Sequence, residues 1–120
     1  MVAINNEAKK KAAEIARQSY VYISQLYALK ETVERRGGRI GAREQLVSSY
    51  NMILRKLKKV FSTDPNFSSL IEHIEEDSGR GLSGIQIVHR VLLSIGQLIA
   101  TIESIVRLYL PPEEKKKIGF

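Results

Sequence analysis

The 120-residue sequence predicts an all-α fold, an antiparallel helical bundle of three long helices plus one short helix. Three observations carry that reading. Apolar residues recur at alternating steps of three and four along three long stretches, which is the spacing of one helix face. The breakers Gly37-Gly38, Asp64-Pro65, Ser78-Gly79 and Pro111-Pro112 fall between or after these stretches. Nowhere does the chain show the period-two alternation of a strand or a repeat of fixed length. With 43% hydrophobic and 27% charged residues, the chain has the composition of a single globular domain large enough to bury its own core. The domain is assigned to residues 1–110, and 111–120 is read as a basic, solvated tail.

The first helix is predicted over about residues 6–36. Its seam reads Ala8, Ala12, Ile15, Ser19, Tyr22, Leu26, Leu29 and Val33. Asn5 or Asn6 caps it, and Glu7 stands in the first turn, where the helix dipole favours an anion. At ~1.5 Å per residue it would be roughly 45 Å long. The second helix starts near Ala42 and repeats the pattern through Leu46, Tyr50, Ile53, Leu57 and Val60, stopping before Pro65 because a residue preceding proline is pushed out of the helical region. Asp64 or Asn66 then caps a short helix through Phe67, Leu70, Ile71 and Ile74 that ends at Ser78-Gly79.

The last helix begins near Ser83, with the seam Ile85, Val88, Leu92, Ile95, Ile99, Ile102, Val106 and Tyr109. A second apolar row, Ile87, Val91, Leu98 and Ile105, widens the stripe, and Leu92 between the two rows is expected to be deeply buried. His89, Arg90, Gln97, Glu103 and Arg107 argue against a membrane span, since a charge at a bilayer centre costs ~2.5–3.5 kcal/mol. The width of the apolar surface predicts self-association or dependence on partner subunits.

Chemistry is sparse. The chain has no Cys, which removes disulfides, thiol catalysis and cysteine metal sites. His73 and Asp77 stand four apart in an acidic run, but two weak ligands do not make a metal centre. His89 has no acid or nucleophile placed with it. No catalytic residue, metal or cofactor is therefore assigned, and the chain is read as a non-enzyme. Nothing in the first residues reads as a signal peptide, and the expected compartment is the cytoplasm.

Charge is the informative feature. Residues 1–60 hold thirteen Lys or Arg against five Glu, a net of +8, whereas residues 61–120 hold six basic and eight acidic residues, a net of −2. Such asymmetry suits a polyanion-binding surface or complementary surfaces in an assembly. Arg35, Arg36, Arg39 and Arg43 surround three glycines in a loop that leads into a helix N-terminus. Arginine forks match phosphate oxygens, and glycines let the backbone approach. Arg55, Lys58 and Lys59 share one face of the second helix, with Lys56 beside them. Lys10, within Lys9-Lys10-Lys11, and Arg17 add charge near the start of the first. Two clusters at opposite ends of a helical hairpin would form a stripe fitted to a nucleic-acid backbone. Tyr20 and Tyr27 are candidates for base stacking.

In helix count, length and these basic residues the chain resembles the small subunits of CRISPR effector complexes over essentially its whole length. That resemblance implies a non-catalytic subunit of an antiviral nucleoprotein complex. Copies would stack head to tail along RNA or single-stranded DNA and bind the backbone without regard to sequence. The acidic corner Glu75-Glu76-Asp77 would dock on a neighbour's basic end. The alternative is a protein-interaction module, an adaptor or chaperone subunit, working through the apolar final helix.

Overall fold

The computed structural model describes residues 2–36, 42–78 and 84–120, with side chains placed over 7–35, 44–78 and 86–120. Among these residues there are six helices and no strand: α1 (Val2–Tyr20), α2 (Ile23–Arg36), α3 (Ala42–Phe61), α4 (Pro65–Ile71), α5 (Gly84–Tyr109) and α6 (Pro112–Lys117). The all-α bundle expected from the sequence is the fold of the chain. Helix α5 is its axis and packs against α1, α2, α3 and α4. Tyr27 reaches Glu103, while Arg17 reaches Glu114 just beyond α5, so α5 runs antiparallel to α1 and α2.

The expected first helix is two. Its seam holds, with Ala12, Ile15, Ser19, Leu26, Leu29 and Val33 all buried, but a tight turn at Val21–Tyr22 separates α1 from α2. The cause is local. Ser19, fully buried, donates its hydroxyl to the Ala16 carbonyl at 3.1 Å, and the Tyr22 amide bonds to the Ser19 carbonyl three residues back. Back-bonding by a buried serine bends a helix, and a three-residue turn tightens it. Two aromatic residues and a β-branched valine at 20–22 add little propensity to resist the bend.

Helix α3 follows its predicted stripe, burying Leu46, Tyr50, Ile53, Leu54, Leu57 and Phe61. Asp64 is the cap of α4: extended itself, it accepts the Asn66 amide at 2.8 Å, and Pro65 occupies the first helical position. The short helix then stops at Ile71, earlier than the spacing suggests. Residues 72–78 leave the helix because α3 offers their backbone better partners. Tyr50 donates to the Glu75 carbonyl at 3.0 Å. Asn51 accepts the Asp77 amide at 2.8 Å and donates to the Asp77 carbonyl at 2.9 Å. Ile74 and Asp77 are buried in this arrangement.

Helix α5 is rotated relative to its expected register. Ile87, Val91, Ile95, Leu98, Ile102, Ile105 and Val106 point into the core, whereas Leu92, expected at its centre, is only half-buried at the edge. The second apolar row, not the first, carries the core over the first half of the helix. On the opposite face Leu93 and Leu108 are 65% and 73% exposed. Residues Gln86–Tyr109 are long and apolar enough to cross a membrane by length and composition, but here they supply the central helix of the bundle.

The segment expected as a solvated tail is folded. Pro112 starts α6, Glu113 and Glu114 fill its first turn, and Lys115, Lys116 and Lys117 fill its last, an order that matches the helix dipole. Gly119, at φ +88°, adopts a backbone that side chains disfavour, and the Phe120 amide returns to the Lys115 carbonyl at 2.7 Å. Ile118 packs on the core and Phe120 on Tyr20.

Candidate nucleic-acid interface

The expected basic residues divide into three groups. The first lies outside the described residues: Arg39, with the glycine loop around it, and the side chains of Arg36 and Arg43. The second consists of arginines already bonded to carboxylates. Arg17 grips Glu114 with two parallel bonds, Nε to Oε2 at 2.8 Å and Nη2 to Oε1 at 2.7 Å, and touches Glu14 at 3.4 Å. Arg55 donates from Nε and Nη2 to one oxygen of Glu76, at 3.0 and 2.6 Å. Arg35 pairs with Glu31 one turn earlier on α2. The hydrogen bonds from Arg17 and Arg55 hold the Glu114 and Glu76 carboxyls below the usual carboxylate range.

The third group consists of lysines that form no ion pair among the described residues. Lys9, Lys10 and Lys11 stand exposed on α1, and Lys56 and Lys59 on the outward side of α3, with Lys58 half-buried beside them. Helices α1 and α3 pack on each other, so both sets belong to one pair of helices.

Two sequence expectations change. Of the acidic corner Glu75-Glu76-Asp77, expected to meet a neighbouring copy, two carboxylates face partners within the chain and that of Glu75 is exposed. Glu76 is taken by Arg55, and the Glu75 carbonyl accepts Tyr50. Asp77, 5% exposed, sits 3.4 Å from Arg90 Nε. Tyr20, a stacking candidate, is half-buried with its ring 6.1 Å from that of Phe120, nearly perpendicular to it. Tyr27 remains exposed. Its hydroxyl lies 3.4 Å from Glu103, and desolvation followed by that charge raises its pKa. His73 and Asp77 do not share a surface, one being exposed and the other buried. Among the described residues no three His, Asp or Glu side chains gather as metal ligands.

Sequence reasoning missed the pairing of Arg17 with Glu114, since nothing local links residues so far apart. The signal present was the ordered charge of α6, acids first and lysines last, which marks a helix rather than a tail. Compared with known proteins, the chain matches no protein-family model, no curated protein and no solved structure.

Proposed function

We propose that this chain is a non-catalytic subunit that binds the phosphate backbone of nucleic acid without regard to sequence, as part of a larger nucleoprotein complex of the CRISPR-effector kind. One observation carries the reading. Lys9, Lys10, Lys11, Lys56 and Lys59 are exposed and form no ion pair among the described residues, although carboxylates elsewhere in the chain are paired with Arg17, Arg35 and Arg55. Unpaired surface cations of this kind condense on a polyanion and release its counterions. Arg36, Arg39 and Arg43 extend the same charge along the sequence.

The test is a titration of labelled single- and double-stranded DNA and RNA at several salt concentrations. Four to six phosphate contacts give a log–log slope of roughly −3 to −5, at ~0.7–0.9 per contact. Reversing Lys56 and Lys59 to Glu, or Arg36 and Arg39 to Glu, weakens binding to every sequence alike and flattens the slope. If no nucleic acid binds tighter than ~100 μM at low salt, the reading fails.

A second reading has its own observation. Leu93 and Leu108, 65% and 73% exposed, lie on one face of α5 with Ala100 and Ser104 between them. That face suits a partner helix in a protein-interaction module. Co-purification separates the two: a high 260/280 nm absorbance ratio that is lost after a high-salt wash fits the first reading and not the second.

A further inference from the structure

Arg17 and Tyr20 are three residues apart on α1 and so share a face, and both are covered by the same segment, residues 112–120. The chemistry of the cover is specific. Glu114 lays a planar pair of oxygens along the Arg17 fork, the arrangement that a phosphate takes on a guanidinium. Phe120 sets its ring nearly perpendicular to that of Tyr20, 6.1 Å away, and so fills space beside the ring on which a base would stack. The Arg107 guanidinium lies 5.4 Å from the centre of the Phe120 ring and forms no ion pair among the described residues. If the segment lifted away, Arg17 would lose its bidentate carboxylate and Tyr20 and Arg107 their shared ring, leaving the partly exposed guanidiniums and the tyrosine open to a new partner.

We propose that Arg17, Tyr20 and Arg107 form a contact for one nucleotide of a single strand, its phosphate and its unstacked base, and that residues 112–120 occupy this contact as an intramolecular competitor. The proposal rests on the nucleic-acid reading above and deepens it by choosing single strands, because a base paired in a duplex has no free face for Tyr20. Exchange is cheap at this place. The Arg17 and Glu114 side chains are 42% and 39% exposed, so swapping a carboxylate for a phosphate requires little desolvation, and an exposed ion pair holds weakly. Bound strand, in contrast, gains from counterion release at every phosphate it lays down.

The experiment uses the full chain and a labelled thymidine oligonucleotide. Glu114→Lys combined with Phe120→Ala replaces attraction to Arg17 by repulsion and removes the ring. Glu113→Lys is the control, since Glu113 makes the same charge change on the same turn of α6 without touching Arg17. Amide exchange over 112–120 reports whether the segment has lifted. The double variant is expected to bind about fivefold tighter than the control, with a salt slope steeper by about 0.7, the value of one single-strand contact. Adding Arg17→Ala should abolish that gain. Equal affinity of double variant and control, or a gain that survives Arg17→Ala, overturns the competitor while leaving the backbone-binding reading intact. Failure of the wild-type chain and all variants to bind tighter than ~100 μM at low salt overturns both.

Discussion

Two segments fold back on the bundle, residues 72–78 beyond α4 and residues 112–120 beyond α5, and they are held by different means. The first is tied through its backbone. Tyr50 and Asn51 of α3 supply three hydrogen bonds to Glu75 and Asp77, and Ile74 and Asp77 are buried beneath them. The second is tied through side chains, by the exposed Arg17–Glu114 pair, the contacts of Phe120 with Tyr20 and Arg107, and the partly buried Ile118 against the core. Buried backbone groups have no alternative partner once their bond is lost, whereas exposed ions and rings exchange partners readily. Residues 72–78 are therefore architecture, and residues 112–120 are the segment able to move.

The architectural side should respond most strongly to mutation. Asn51→Ala removes the two hydrogen bonds that the amide side chain makes to the backbone of the buried Asp77. A loss of ~2–6 kcal/mol in denaturant unfolding is expected, from about 1–3 kcal/mol for each of the two buried backbone groups that loses its Asn51 partner. A loss below about half a kcal/mol would mean that residues 72–78 are held no more firmly than 112–120, and the contrast would collapse.

Phe120→Ala tests the other side and should do much less. An aromatic pair contributes ~0.5–1.5 kcal/mol and an exposed cation–π contact ~0.5–1 kcal/mol, both spent on a segment that can open without the bundle opening. The unfolding midpoint should therefore barely move, while amide exchange over 112–120 rises. Exchange over 72–78 should stay as in the wild-type chain. A cooperative loss of both segments would show them to be one unit.

The contrast also explains what was legible in the sequence. Repeated three–four spacing reports burial along a helix, so the all-α class, the α3 stripe and the buried residues Ile95, Ile102 and Val106 could be read directly. The bend at Tyr20–Tyr22 could not, because Ser19 fits the seam by position and only its burial turns its hydroxyl onto Ala16. The end of α4 at Ile71 depends on Asn51, twenty-odd residues away, and hydropathy carries no record of an amide that clamps a distant backbone. Leu92 lies about a quarter turn from the core centre its spacing predicts: two adjacent apolar rows leave the rotation of α5 undetermined until α1, α2 and α3 are in place. For the candidate site, the sequence located the charges but not their counterions, since Arg17 and Arg55 are matched by carboxylates from elements it could not place.

The smallest effect expected is a response to acid, and it distinguishes the segments most finely. Arg17, first through its hydrogen bond and then through its charge, with Lys117 adding to it, holds the Glu114 carboxyl below the ordinary carboxylate range in the folded protein. A carboxyl depressed on folding contributes stability at pH values above its unfolded pKa. That contribution is lost as pH falls through the lower, folded value. Below the usual carboxylate range Glu114 therefore takes up a proton, the hold on Arg17 weakens, and amide exchange over 112–120 should rise once corrected for the intrinsic pH dependence of exchange. Glu76 is depressed in the same way by Arg55, so the exposed Arg55–Glu76 pair weakens in the same window. The Asp77 amide and carbonyl, however, are held by the Asn51 side chain, an amide that does not titrate. Protection at Asp77 should accordingly persist in the acid range where protection over 112–120 has already fallen. Simultaneous loss at both places would mean that residues 72–78 hang on their ion pairs, Glu76 with Arg55 and Asp77 with Arg90, and not on the amide clamp.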